Sequence, residues 1–560
     1  MRLQIIRVVI IILFIVILGD LFYVQIFKGN LYYRLSTNNR IRVVPLEGWR
    51  GRIKDRNGMV LADNTISYDV VVTPQDIADF DQVFQYISDV LGKNKEKLIK
   101  RYRQRKSAPF APVAVAENIP RAKAIIIEEN KYRFPSMMIQ KGFKRLYPYG
   151  KDSAHVLGFV GKVNLSDRER FQEYGYSPLH VVGKLGAEEY YNSFLKGSEG
   201  GIQVEVNSRG QQVRLLSYKA PQKGQDISLT IDVKLQQLLT SLLDSRPGAI
   251  VIMDKANGEI LGMVSSPAYD PNTRTTKDPR SPFLNRVIQG LYPPGSVFKI
   301  LVAIAALDKE KITKHTTFIC NGYHEVGNRH FRCTHVHGPQ NMFEAIGHSC
   351  NVYFYRIGLI LGADIIGQYA HLFGLGQVTH IDLPYEKSGY VPYRNRGILS
   401  RRKRWYAGDT LNYSIGQGDL LTTPLQLLHV MATVANEGRI LQPHVLKSVM
   451  DHDVEDFNFS RELKISSEIF DAVKQGMRAT VKEFSGTAHE LHLSDIRVSG
   501  KTGTAQTSGN KEDHAWFVGY TSGRGRDIVF CVFLEHGGSS HNANLIAREM
   551  LIRMKTMKLL

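Results

Sequence analysis

From Val8 to Leu18 every residue is apolar, and the run resumes through Leu21 to Val24 and Ile26-Phe27, broken only by Gly19, Asp20 and Gln25. At ~20 residues such a stretch is long enough to cross one bilayer as a helix. No small-residue cleavage signature follows the apolar core, so the pattern predicts an uncleaved signal anchor over 1–27. Beyond it the periodicity changes. Tyr68 to Val72 and Ile202 to Val206 alternate as half-buried strands do, while Asp81 to Arg105 has the pattern of a strongly basic helix. Turn-rich stretches stand at Gly51 to Gly58 and Gly183 to Gly201. Ile227 to Asp232 predicts a strand entering a helix over Val233 to Leu243. Gly248 to Asp254 and Glu259 to Val264 then read as a hairpin closed by Asn257-Gly258. Ala, Leu and Ile become more frequent from here on. The domain limits expected are therefore 1–27 anchor, 28–223 mixed α/β region and 224–560 second domain.

Composition narrows the class. Hydrophobic residues at 43 % and charged residues at 22 % describe a folded chain, and its 560 residues leave room for several domains. A mean hydropathy of -0.20 allows one span and excludes a polytopic protein. The formal charge of +19 points to an anionic neighbourhood: nucleic acid, a membrane surface or phosphate-bearing substrates. Arg2 and Arg7 precede the span, but Lys28, Arg34, Arg40 and Arg42 follow it, so the positive-inside rule alone votes against an exported body. Asp20 either faces a partner helix or sits near the interface.

Chemistry concentrates at three places. Tyr292-Pro293-Pro294-Gly295-Ser296 leads into an apolar helix former, which puts Ser296 at a helix start and Lys299 one turn on, along the same face. The helix dipole favours charge developing on the serine oxygen, and a desolvated lysine acts as its base. Ser349-Cys350-Asn351 offers a hydroxyl and an amide ahead of a second apolar helix at Val352 to Leu361. Lys501-Thr502-Gly503-Thr504 continues a strand begun at Ile496, combining charge, hydroxyls and a backbone open to an extended peptide. The first two spacings also occur by chance, as at Ser193/Lys196 and Ser36 to Asn38; the order and context of all three together carry the signal. Gly500-Lys501-Thr502 is not a P-loop, since Asp495 stands where the first glycine belongs. His324-Glu325 lacks the second histidine of a zinc protease, and there is no Gly-x-Ser-x-Gly elbow.

In this order the three motifs resemble those of the penicillin-binding proteins. Arg50 to Gly58, Arg145 to Pro148, His155 to Gly158 and Gly183 to Glu188 are similar to pedestal signatures of the monofunctional class B transpeptidases. Tyr413 to Gly418 followed by Thr423 to Gln426 is similar to the run before their third motif, so the resemblance covers essentially the whole chain. The Trp405 to Gly408 loop and the C-terminal end are closer to the elongation type, penicillin-binding protein 2, than to the division type. The fold implied is α+β and multidomain: a transmembrane helix, an elongated α/β pedestal, and a transpeptidase domain with an antiparallel sheet flanked by helices.

The resemblance implies cross-linking of peptidoglycan stem peptides during elongation and shape maintenance, with covalent inhibition by β-lactams and a D,D-carboxypeptidase side activity. Ser296 would be the nucleophile, Lys299 its base and Ser349 the proton relay. Asn351 would hold the donor's backbone, and Lys501 with Thr502, Gly503 and Thr504 its carboxylate. No cofactor is implied for the chemistry. The partners implied are a SEDS-family glycosyltransferase and other elongation-complex membrane proteins, with Asp20 and the surface around Arg52 and Asp55 as candidate contacts, and no nucleic acid. The protein would sit in the cytoplasmic membrane with its N-terminus inside and its catalytic domain outside. The alternatives are a septal transpeptidase or a non-catalytic scaffold that activates the glycosyltransferase; a β-lactamase or β-lactam sensor would not need the pedestal. The basic runs Arg394/Arg396 and Arg401 to Arg404 read as solvated loops or as contacts to glycan, lipid phosphate or a partner.

Cys320, Cys333 and Cys350 fall in one short region, with His335 and His337 between the second and third. Three thiolates and one imidazole form a tetrahedral zinc set, with His337 preferred to His335. The competing arrangement is a Cys320–Cys333 disulfide that leaves Cys350 free. Zinc is favoured because an unpaired thiol beside an active site is a liability in an oxidising compartment. Cys531, in the apolar run Ile528 to Leu534, reads as plain core.

Overall fold

A computed structural model describes residues 2–30, 32, 41–46, 48–106, 109, 112–162, 181–206, 212–274, 278–392, 405–454, 460–507, 509, 511–523 and 525–560. Arg34, Arg40, Ser36 to Asn38 and the basic runs at Arg394/Arg396 and Arg401 to Arg404 lie outside these residues. The N-terminal apolar run forms the helix Arg2–Phe22, prolonged by a π-turn at Tyr23–Phe27; Gln4–Phe27 is long and apolar enough to cross a membrane.

The chain packs as two compact units. The first comprises Met1–Gly51, Asn64–Arg145 and Lys196–Gly224. In it, Val70 to Val72 pair with the strand Val113–Ala116 over a core of Phe84, Ile87, Leu98, Tyr102 and Ile127. The stretch expected as one helix from Asp81 to Arg105 is two: Phe80–Leu91 and Lys95–Arg105. Gly92 ends the first in the left-handed region (φ 65°), and the Asn94 side chain caps the second by accepting the Lys97 N–H. A basic composition is compatible with either arrangement; the Gly-Lys-Asn break is what decides it.

The second unit comprises Arg52–Asp63, Leu146–Leu195 and Gln225–Leu560. Two stretches that precede Gly224 in the chain therefore belong to it by packing. Ile53 pairs in parallel with Ile227, and Tyr147, Val156 and Leu157 share a core with Ile260 and Met263. The turn-rich Gly183 to Gly201 stretch contains two short helices, Gly186–Tyr190 and Asn192–Leu195. The Trp405 to Gly408 stretch is not wholly loop either, because the helix Ala407–Ser414 begins inside it.

The centre of this unit is a five-stranded antiparallel sheet in the order Ile260–Ser266, Gly248–Asp254, Ile528–Leu534, His514–Ser522, Arg497–Ala505. Strand parity sorts its side chains into two cores. Ile250, Ile252, Phe517, Phe530 and Val532 pack with Leu239 and Met550 of the helices Val233–Leu243 and Ser540–Thr556. Ala249, Val251, Val518, Cys531 and Phe533 belong to the other core, with Ile300, Ile304 and Leu428. With both faces covered, the central strands are apolar at nearly every position. The helix Lys299–Asp308 is buried from Lys299 through Ala306, as an all-round apolar helix must be.

Candidate active site

The nucleophile turn is shaped by glycine. Gly295 (φ 56°) opens the single 3₁₀ turn Gly295–Phe298, and a Cβ there would meet the Thr504 carbonyl oxygen at 2.7 Å. Its N–H donates to the Gly416 carbonyl (2.9 Å), and Gly416 (φ 72°) has its own Cβ position blocked by the Gly295 oxygen at 2.2 Å. The run Tyr413 to Gly418 thus clamps the turn that carries Ser296. Ser296 is half-buried, and its carbonyl accepts the Lys299 N–H, which sets the two residues one turn apart.

Lys299 is fully buried, and its Nζ donates to the Ser349 carbonyl (2.7 Å), Ser349 Oγ (3.2 Å) and Asn351 Oδ1 (2.6 Å). Burial pushes this amine down to about 8, partly offset by the negative character of Cys333 and Cys350. Ser349 sits at φ 55° between the helices Met342–Gly347 and Asn351–Leu361. That left-handed residue turns both its carbonyl and its hydroxyl onto Lys299. Among the described residues, Ser296 Oγ has no hydrogen-bond partner, so Lys299 rests on the second motif and not on the nucleophile. Such contacts commonly tighten only when substrate is bound.

Lys501 lies on the edge strand Arg497–Ala505, fully buried, with Nζ on the Thr502 carbonyl (3.3 Å). Desolvation and repulsion from Lys299 hold it well below an ordinary lysine. Gly503 faces the nucleophile turn, where a Cβ would stand 3.0 Å from the Pro294 oxygen. Thr504 is exposed, and its carbonyl accepts from Gln417 Nε2 (3.3 Å). The structure therefore brings together Ser296, Lys299, Ser349, Asn351, Gly503 and Thr504 around one turn, with Lys501 and Thr502 on the strand behind it.

Thr487 gave no signal in the sequence. Its hydroxyl meets that of Thr502 at 2.8 Å, its N–H donates to the Gly347 carbonyl (3.2 Å), and its own carbonyl accepts from the buried Asn544 (3.0 Å). It ties the third motif to the helix leading into the second. No motif marks a lone threonine 15 residues before its partner.

The cysteines are also gathered. Sγ of Cys320, Cys333 and Cys350 and a ring nitrogen of His337 all lie within 4.8 Å of one another, and all four cysteines of the chain are free in the structure. His337 Nδ1 is 3.5 Å from both Cys320 Sγ and Cys333 Sγ, and Cys333 Sγ is 4.0 Å from Cys350 Sγ. The Cys350 thiol and the Val352 and Asn351 N–H groups stabilise the Cys333 thiolate, while the hydrogen bond to Cys333 and burial push Cys350 upward. The Asn351 N–H reaches Cys333 Sγ at 3.2 Å, so the cluster touches the second motif directly. His335 contributes its main chain, with its carbonyl near Cys320 Sγ and a backbone hydrogen bond to Cys333. Cys531 is buried core, as expected.

The pedestal contact expected around Arg52 and Asp55 is corrected by burial. Asp55 is 1 % exposed, and its carboxylate is spent on the N–H groups of Asn57, Met59 and Val233. Arg52 remains at the surface, paired with Asp63 at 3.0 Å.

Residues 248–552 match the penicillin-binding protein transpeptidase domain, and residues 45–229 the penicillin-binding protein dimerisation domain. Peptidoglycan D,D-transpeptidase MrdA of Escherichia coli K12 is 32 % identical over 577 residues, spanning 96 % of this chain and 91 % of that protein. Penicillin-binding protein 2 of Helicobacter pylori, solved in complex with MreC, has a TM-score of 0.83 at 29 % identity and covers 93 % of this chain and 100 % of its own. A chain from a peptidoglycan synthase complex that coordinates polymerization and crosslinking has a TM-score of 0.72 at 28 % identity, covering 98 % and 97 %.

Proposed function

The chain belongs to the class B penicillin-binding proteins of the elongation type, and from that premise we propose the roles of its residues. The activity is serine-type D,D-transpeptidation of peptidoglycan. Ser296 Oγ attacks the carbonyl carbon of the penultimate D-Ala of a donor stem peptide while its proton passes to neutral Lys299. The C–N bond breaks, and the terminal D-Ala leaves as an amine protonated through Ser349. An amine of a second stem peptide then attacks the Ser296 ester and returns the proton to the serine. Water in place of that amine gives the carboxypeptidase side reaction. Backbone N–H groups of Ser296 and Thr504 hold the oxyanion. Lys501, with Thr502 and Thr504, receives the donor carboxylate, whose negative charge favours the protonated amine that burial and Lys299 disfavour in the empty site.

The observation that carries this reading is the buried Lys299 held between the nucleophile turn and the second motif. Covalent labelling with a fluorescent penicillin tests it. Wild type should form a slowly released adduct and Ser296→Ala none; an adduct on the variant refutes the nucleophile.

We further infer that Cys320, Cys333, His337 and Cys350 hold a structural zinc ion. Ligands at ~2.3 Å (S) and ~2.0 Å (N) from a tetrahedral ion stand about 3.5–3.8 Å apart, near the separations quoted for this cluster. Such an ion would supply no chemistry to the reaction; it would fix the Cys333 segment against Asn351. Anaerobically purified protein should contain about one zinc per chain, and metal-free protein with four titratable thiols overturns the assignment. The chain limits 28–223 and 224–560 are kept as pedestal and transpeptidase sequences. Residues 1–27 are read as the anchor, with the N-terminus in the cytoplasm and a SEDS-family glycosyltransferase and MreC-like membrane proteins as partners.

A further inference from the structure

The two backbone groups assigned to the oxyanion belong to different elements, Ser296 to the turn Gly295–Phe298 and Thr504 to the strand Arg497–Ala505. That strand is the last of the five-stranded sheet and pairs on one side only, with His514–Ser522. The Thr504 carbonyl oxygen faces the open side, where a Cβ at Gly295 would stand 2.7 Å from it. In an extended strand the N–H and C=O of one residue point the same way, so the Thr504 N–H is directed toward the nucleophile turn as well.

Among the described residues no main-chain hydrogen bond joins the turn to the strand. Gln417 makes the connection. Its N–H donates to the Asn412 carbonyl (2.9 Å), and the adjoining Gly416 carbonyl accepts the Gly295 N–H (2.9 Å), which fixes its main chain to the nucleophile turn. Its half-buried side chain crosses to the strand, where Nε2 donates to the Thr504 carbonyl (3.3 Å). Holding that carbonyl limits rotation of the residue about the strand axis and so aims its N–H. The aim matters because an oxyanion donor works only within about 2.7–3.1 Å of the developing charge.

We propose that Gln417 is a positioning residue for the oxyanion hole: its carboxamide ties the Thr504 strand to the Ser296 turn and sets the spacing of their two N–H donors. This rests on the transpeptidase reading above and adds to it the residue that fixes this spacing. The full chain in detergent is reacted with benzylpenicillin, and acylation is resolved into the dissociation constant of the initial complex and the first-order acylation constant. Gln417→Met fills the same space without a donor and should lower the acylation constant about three- to tenfold, as loss of one neutral hydrogen bond implies, with the dissociation constant kept within about twofold. Gln417→Glu, whose carboxylate repels the Thr504 carbonyl oxygen, should lower the acylation constant further. A peptide boronic acid, whose tetrahedral adduct on Ser296 places an oxygen at the oxyanion position, should lose affinity by the same factor in each variant. The pH at which acylation rises should not move.

An unchanged acylation constant, or boronate affinity that does not follow it, overturns the inference. So does a faster acylation, because Gln417 would then be covering the strand edge against the donor. A change confined to the dissociation constant overturns it by making Gln417 a contact to the substrate, and a shifted pH profile by making it act through Lys299. If wild type forms no penicillin adduct, the transpeptidase reading falls and this inference with it; an adduct with unchanged variant constants removes this inference alone.

Discussion

Lys299 and Lys501 of the catalytic unit and the cations of the pedestal helix Lys95–Arg105 carry the same formal charge in opposite surroundings. The two catalytic amines have no exposed surface. On the pedestal helix, Leu98 and Tyr102 are buried while Lys97, Lys100, Arg101 and Arg103 stand in solvent. Two of its cations are matched by carboxylates, Lys95 by Asp81 and Arg105 by Glu117, each at 2.7 Å. A hydrated charge costs little and can be multiplied along a helix face. A buried one costs so much that the protein tolerates it only where the amine has work to do. Local composition thus says where lysines are, and burial says which of them can be bases.

The largest effect that would break this contrast is expected at Lys299. Lys299→Ala should slow penicillin acylation by ~10²–10⁴-fold, the usual contribution of a general base. Lys299→Arg should not rescue it, because a guanidinium stays charged. If Arg restores the rate, charge and not basicity is what the site uses. In wild type, acylation should rise as pH passes through about 8, where Lys299 loses its proton. The stability effect has the same sign. The folded pKa of about 8 lies below the 10.5 of an ordinary lysine, so between these values the unfolded chain binds more protons. The contribution of Lys299 to stability therefore increases with pH across that window, and chemical denaturation at pH 7.5 and 10 measures it.

A smaller effect is expected at Thr487. Thr487→Val removes the hydroxyl that meets Thr502 but keeps the shape, and should slow acylation about three- to tenfold, within the range of one neutral hydrogen bond. An unchanged rate would mean that Thr502 is oriented without it. The smallest effect belongs to the pedestal. Replacing Lys100 and Arg103 together by Ser should move unfolding stability by no more than about 0.5 kcal/mol per site. A larger loss would show that the exposed cations are not merely hydrated.

The one-dimensional pattern determined a good deal. The Val8 to Phe27 run, the Asn257-Gly258 hairpin and the motifs at Ser296, Ser349 and Lys501 are local features, because periodicity, turn residues and helix starts act over a few neighbouring residues. The break at Gly92 to Asn94 was equally local and equally visible, but a uniform basic composition concealed it. What the fold alone decided involves residues far apart in the chain. Thr487 reaches Thr502 only because the turn after the helix Ser467–Lys482 meets the strand Arg497–Ala505, and Asp55 is buried only because Val233 returns to cover it. Cys320, Cys333, His337 and Cys350 become one cluster only when segments up to 30 residues apart converge on a helix start. The basicity of Lys299 is decided in the same way. Its sequence neighbours place it one turn from Ser296, but the packing that removes water from its amine comes from residues some 50 positions away. Desolvation is a property of the assembled interior, and no stretch of sequence contains it.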